Sequence, residues 1–151
     1  MTGKVVSLNI SDRKGVRKKP VKEAMLRTEY GIEGDAHASS AWHRQVSLLA
    51  RESITKMQKL GLDVKPGDFA ENITTEGIDL PALPVGTEMS IGDGIRVEVS
   101  QIGKECHTRC AIYYQAGDCV MPKEGIFVRV LSGGIVREGD LITVMQSENA
   151  K

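Results

Sequence analysis

All three histidines and all three cysteines of this chain fall in two short stretches. His37 and His43 lie within Gly34-Asp35-Ala36-His37-Ala38-Ser39-Ser40-Ala41-Trp42-His43-Arg44-Gln45, and Cys106, His107, Cys110 and Cys119 lie between Lys104 and Cys119. These residue types supply soft metal ligands, nucleophiles and proton carriers. Cys110 directly follows Arg109, with Lys104 and His107 close in sequence. Neighbouring cations favour the thiolate, the form that ligates soft metals and attacks sulfur. A place in the first turn of a helix would add the macrodipole to that effect. Cys110 is therefore the expected reactive thiol and metal ligand. Cys106, one helical turn earlier, is its alternative or its resolving partner. His107 beside it is a further candidate catalytic residue, while Cys119, next to Val120 and Met121, reads equally well as a small core residue. A zinc site of the three cysteines and His107 is a further reading, although the spacing is not the Cys-x-x-Cys of zinc ribbons.

In the first stretch Asp35, Trp42 and Arg44 accompany the two histidines, and loops carried on a rigid scaffold commonly bring such residues to one pocket. His37, His43 and Arg44 are thus expected on the same side as Cys110. Gly31 and Gly34 precede Asp35 and suit positive φ, which would aim a loop at that pocket. Arg13 to Pro20 is a basic run, a solvated loop for the most part, with Lys18 or Lys19 available to a phosphate. Arg109 offers the bidentate grip on phosphate that a lysine cannot imitate. Glu71-Asn72 reads as a polar cap on the turn before a strand.

The elements that must position these residues are mostly strands. Lys4 to Ile10, Gln45 to Leu49, Glu88 to Ile91, Ile95 to Gln101, Gly125 to Leu131 and Leu141 to Val144 are apolar or β-branched and bounded by glycine turns. Gly92-Asp93-Gly94 predicts a hairpin, and Ser132-Gly133-Gly134 a second turn. The clearest helix is Arg51 to Leu60, with Ile54, Met57 and Leu60 on one face and Gly61 as a stop. A shorter helix is expected from Arg109 to Gln115. Residues 85–91 and 138–144 echo each other as a tight turn feeding a strand. The fold class expected is mainly β, a β-barrel with one main helix and short helical turns. One domain spans 4–144, followed by a flexible tail, 145–151.

Composition bounds the function. The chain has 151 residues, 40% hydrophobic and 26% charged, the profile of one soluble domain. Lysine plus arginine equals aspartate plus glutamate at 20 each, which argues against broad binding to nucleic acid or a membrane surface. The amino-terminal stretch does not resemble a signal peptide and no segment approaches a membrane span. A cytoplasmic location is expected, with the cysteines kept as thiols.

Taken in order, Lys19-Pro20-Val21, Gly31-Ile32-Glu33-Gly34-Asp35, His43-Arg44-Gln45-Val46-Ser47-Leu48-Leu49, Glu71-Asn72-Ile73-Thr74, Leu83-Pro84-Val85-Gly86-Thr87 and the stretch ending at Arg109-Cys110 resemble a MOSC domain, the carboxy-terminal module of molybdenum-cofactor sulfurases, in a stand-alone short form. The resemblance runs from Lys4 to Val144. It implies a β-barrel and the molybdenum cofactor (molybdopterin), a pterin dithiolene carrying a phosphate. It places Asn72, Thr108 and Arg109 near the pterin or its phosphate, with Lys19 matching a family lysine. It also implies that one cysteine, Cys106 or Cys110, carries sulfur or ligates molybdenum. Partners implied are a cysteine desulfurase, or a protein of the molybdopterin pathway or a molybdoenzyme. A pyridoxal-phosphate desulfurase domain does not fit in this length. The alternatives are a cofactor-dependent reductase of N-hydroxylated compounds and a zinc-binding or redox-switch module without cofactor.

Overall fold

The computed structural model describes residues 2–13, 17–36, 38–103 and 124–145. Strands β1 (Thr2–Ile10), β5 (Val46–Ala50), β6 (Ile73–Glu76), β7 (Glu88–Ile91), β8 (Ile95–Ile102), β9 (Ile126–Ser132) and β11 (Leu141–Met145) form a closed seven-strand barrel, ordered β11-β7-β8-β9-β5-β6-β1 and closed by β1 against β11. The short β2 (Lys19–Val21) extends the sheet beyond the far half of β1. All pairings in the barrel are antiparallel except β5 with β6. That parallel pair is joined through the helix α1 (Arg51–Lys59), as a parallel connection requires.

Alternation explains the barrel. Met89, Ile91, Ile95, Val97, Val99, Ile126, Val128, Val130 and Ile142 point inward and are fully buried, the inward half of the period-2 pattern that burying one face of a strand demands. Strand β5 is buried on both faces. Val46, Leu48 and Ala50 face the barrel core, while Leu49 joins Ile54 and Met57 of α1, Val64, Phe69 and Phe127 in a second apolar cluster. The helix thus lies on the outer wall over β5 and β6, with Phe127 of β9 in the same cluster.

Leu60 departs from the expected helix face. It is 70% exposed, and the helix ends at Lys59. Gly61 takes φ +95°, its N–H bonds the Gln58 carbonyl at 3.0 Å, and the Leu62 N–H bonds that of Met57 at 3.3 Å. This is a Schellman ending. It swings Leu62 onto the second cluster in place of Leu60.

The hairpin at Gly92-Asp93-Gly94 forms as expected, with Ile91 opposite Ile95. The echoing segments become β7 and β11, which pair with each other. A smaller sheet, β10-β3-β4, was not expected: β3 (Glu23–Arg27), β4 (Gly31–Ile32) and β10 (Gly134–Arg137) add Ala24, Leu26, Ile32 and Val136 to the main core. Gly31 has positive φ, +130°, but sits in β4 and not in a loop, and a Cβ there would lie 2.5 Å from the Gln45 carbonyl oxygen. A 3-10 turn, Leu80–Ala82, follows β6. Among the described residues no helix is long and apolar enough to cross a membrane.

Candidate functional site

The site is built where β8 leaves the barrel. From Val97, opposite Val130, its residues stay in register with β9 to Val99, opposite Val128. The next partner of β9, Phe127, faces Gln101 and not Ser100, so Ser100 is the extra residue of a β-bulge. Without that residue the alternation of Val97 and Val99 would send Gln101 into the barrel. With it, Gln101 stands beside Phe127 on the outer face, because directly opposed residues share a face. The Ser100 hydroxyl donates to the His43 carbonyl at 2.6 Å, tying the bulge to the loop that enters β5.

That loop carries Trp42, His43 and Arg44. The Gln101 Oε1 atom lies 2.8 Å from His43 Nε2 and accepts from Arg44 Nε, also at 2.8 Å. The Arg44 guanidinium lies 4.6 Å from the Trp42 ring centroid and 5.1 Å from that of Phe127. Trp42 also meets the His43 ring edge-on, with centroids 5.7 Å apart. Cation–π contact on two rings holds a guanidinium plane while leaving its edge to accept a ligand. His43 and Arg44 are half-buried, and Trp42 is 49% exposed. Just beyond, the Gly103 N–H bonds the Gly125 carbonyl at 2.6 Å. Gly103 and Gly125, which flank residues 104–123, thus meet at one hydrogen bond two residues past Gln101.

Behind this lies a belt of buried polar residues. Asn72 Oδ1 accepts from the Ser47 N–H (3.0 Å) and hydroxyl (3.2 Å), and its Nδ2 donates to the Asn9 carbonyl at 3.2 Å. One side chain thereby joins β1, β5 and the entry to β6. Asn9 Nδ2 donates to Thr74, whose hydroxyl donates to Glu71 Oε2 at 2.6 Å, and the Gly67 N–H donates to the same oxygen at 3.0 Å. Lys18 is fully buried and not solvated. Its Nζ lies 2.7 Å from Asp35 Oδ1 and 3.1 Å from the Ser11 hydroxyl, and its own N–H is pinned to the Gly67 carbonyl at 2.8 Å. Lys19, the first residue of β2, is exposed.

Of the residues singled out by sequence, the structure thus brings His43 and Arg44 together, keeps Asn72 wholly inside and leaves Lys19 at the surface. His37, Cys106, His107, Thr108, Arg109, Cys110 and Cys119, with the expected helix from Arg109 to Gln115, lie outside the described residues. Sequence reasoning missed Gln101, the Ser100 bulge and the burial of Lys18. Only the belt left a trace, in Ser7 and Asn9 interrupting an apolar strand. Among the described residues no three histidine, cysteine or acidic side chains gather as a metal site.

The MOSC domain family matches this chain over residues 33–143, more than half its length. The chain belongs to the MOSC domain family. No curated protein matches it. Among solved structures it is similar to the YuaD protein from Bacillus subtilis, with TM-score 0.81, 21% identity and 98% of each chain covered. It is similar also to YiiM from Geobacillus stearothermophilus, at TM-score 0.71 and 20% identity, covering 95% of this chain and 75% of that one. YiiM from Escherichia coli follows at TM-score 0.69 and 22% identity, covering 97% and 71%. At such identity these three support the MOSC fold and nothing finer. MOSC domains are associated in general with the molybdenum cofactor.

One MOSC-domain residue here has a marked electrostatic shift. Burial raises the Glu71 carboxyl above the usual glutamate range, against the lowering effect of its hydrogen bonds from Thr74 and Gly67, and its Oε1 has no partner. Since the folded chain holds this proton more tightly than the unfolded one, stability falls as pH rises from about 4.3, the ordinary value, through the folded pKa. The slope from this group reaches at most about 1.4 kcal/mol per pH unit. Glu71→Gln is expected to remove that slope: in urea melts across pH 4–8, wild type should lose stability relative to the variant as pH rises. Parallel curves would refute the assignment.

Proposed function

We propose that this protein binds the molybdenum cofactor and uses a cysteine of residues 104–123, Cys110 or else Cys106, for sulfur transfer or molybdenum ligation. The observation that carries the reading is the root of the cysteine-bearing segment. It starts and ends at the Gly103–Gly125 hydrogen bond, and Gln101 ties that point to His43 and Arg44. The described residues fit the anionic part of the cofactor. The hydrogen bonds of Arg44 employ Nε, and its plane is held by two rings, so the terminal nitrogens suit the two-oxygen grip on a phosphate. When bound, the cofactor supplies a soft metal centre with thiolate-type sulfur ligands, which calls for a sulfur ligand from the protein.

In this reading Arg44 and Arg109 hold the phosphate, with Lys19 at its edge. His37 and Thr108 line the pterin, and Asn72 supports the pocket from behind. Cys110 provides the thiolate that Lys104, His107 and Arg109 favour, and His107 moves its proton. The family association supports a molybdenum-related role, and a cysteine desulfurase or a molybdoenzyme-pathway protein is the corresponding partner, met in the cytoplasm.

Purification from a molybdenum-replete host, with metal analysis and detection of the fluorescent pterin oxidation product, tests the reading. Wild type is expected to carry molybdenum and pterin together. Cys110→Ser is expected to lose at least about ten-fold of the molybdenum while keeping its fold, as removal of a metal's protein ligand does. Zinc alone in wild type would overturn the proposal in favour of a zinc or redox module. Full retention by Cys110→Ser would exclude that cysteine and pass the role to Cys106.

A further inference from the structure

We infer that Gln101 is a positioning residue: it fixes His43 as the Nε2–H tautomer, fixes the plane of Arg44, and ties both to the start of the cysteine-bearing segment. The argument begins with the amide's own orientation. Oxygen and nitrogen of a glutamine are told apart by their partners. Gln101 Nε2 donates to the Gly103 carbonyl at 2.8 Å, and Oε1 accepts from Arg44 Nε at 2.8 Å. Turning the amide over would set its NH₂ against an Arg44 N–H that can only donate, and its oxygen against a carbonyl that can only accept. Two independent contacts therefore lock the oxygen toward His43.

With Oε1 in place, the 2.8 Å contact to His43 Nε2 admits only one assignment, in which Nε2 carries the hydrogen. Neutral His43 then keeps its lone pair on Nδ1, the nitrogen left to accept a proton or a ligand hydrogen. The ring is held from a second side by the edge of Trp42. The same Gln101 oxygen sets the Nε edge of Arg44, whose plane lies against Phe127, the residue opposite Gln101 on β9.

The fold makes a dedicated arrangement to bring this about. Gln101 reaches the outer face through the Ser100 bulge, and Ser100 itself bonds the His43 backbone. Bulges recur beside functional sites because they re-aim one side chain without moving the sheet. A glutamine is the side chain that accepts from two nitrogens and donates to a carbonyl together. Leucine does neither, and glutamate accepts but has no hydrogen for Gly103.

The inference rests on the proposed function for its purpose, and not for its test, which uses the protein without cofactor. Long-range proton–nitrogen spectra of the imidazoles, recorded at a pH where they are neutral and with His43 assigned through His43→Phe, report each tautomer. Wild-type His43 is expected to be mainly Nε2–H. Gln101→Glu, which keeps the acceptor, should preserve that state. Gln101→Leu should lower the Nε2–H to Nδ1–H ratio roughly five-fold, the equilibrium counterpart of one net hydrogen bond. A mainly Nδ1–H ring in wild type would overturn the inference, whether or not the variants fold. So would an unchanged ratio in folded Gln101→Leu. If the tautomers behave as stated while wild type carries no molybdenum or pterin, the proposed function fails and the positioning role stands.

Discussion

Replacing Asp35 with alanine is expected to destabilise the fold by about 3–5 kcal/mol, the loss typical when one partner of a buried ion pair is removed. Lys18 and Asp35 are both wholly inaccessible at their side chains, with Nζ and Oδ1 2.7 Å apart. Asp35 Oδ1 also accepts the Ser11 N–H at 3.1 Å, and the Lys18 ammonium donates to the Ser11 hydroxyl. The variant therefore leaves a wholly buried ammonium without the Asp35 carboxylate. The loss follows from desolvation more than from the attraction itself. Consequently the double change Lys18→Met, Asp35→Leu, which removes both charges, should recover a substantial part of the stability lost by Asp35→Ala. Urea denaturation at neutral pH measures all of this. A single variant within about 1 kcal/mol of wild type, on the scale of an exposed pair, would show that the pair is effectively solvated. By contrast, the exposed Arg27–Glu33 pair carries no comparable expectation.

The pair also shows where sequence reading reaches its limit. Lys18 stands in a run of five cations among Arg13 to Lys19, and such a run reads as solvent-facing by composition. Only the tertiary path of β1, β2 and the Gly67 carbonyl sends one of them inward. Strands whose partners are hairpin neighbours or whose residues alternate cleanly were legible, β7 and β8 above all. The small sheet was not, because Glu23-Ala24-Met25-Leu26-Arg27 is built of good helix formers and its strand character comes from pairing with β10. Its period-2 burial, with Ala24 and Leu26 inward and Met25 outward, has no counterpart in the sequence, where Met25 is as apolar as its neighbours. For the site, the cluster of His43 and Arg44 was legible from residue type. Gln101 was hidden, since strict alternation assigns it to the barrel interior and a one-residue bulge leaves no mark in composition. Barrel and family were recoverable because period, turn glycines and ordered motifs all point the same way.

Asn72→Ala is expected to cost about 3 kcal/mol or more, on the basis of about 1–3 kcal/mol for each buried polar group left without a partner. Asn72 is fully buried, and its side chain satisfies the Ser47 N–H on β5 and the Asn9 carbonyl on β1. Truncation orphans both, one on each flank of β6, inside a wholly buried belt. The resemblance to MOSC domains implies a place for Asn72 near the cofactor, and the geometry shows what it does inside the protein itself: it ties β1 to β5, the strand that the loop of His43 enters. Asn72→Asp discriminates further. The carboxylate keeps the acceptor toward Ser47 but sets an acceptor against the Asn9 carbonyl and places a charge in a buried belt that already contains Glu71. At neutral pH the aspartate variant should therefore be no more stable than the alanine one. At lower pH the protonated acid regains a donor for Asn9, and the aspartate variant should gain stability relative to alanine. Thermal melts of both variants across pH 4–7 read this directly. If alanine melts like wild type while cofactor content falls, Asn72 acts on the ligand and not on the strands. A loss of stability in the protein purified without cofactor establishes the opposite, because an amide that only touched a ligand would be silent there.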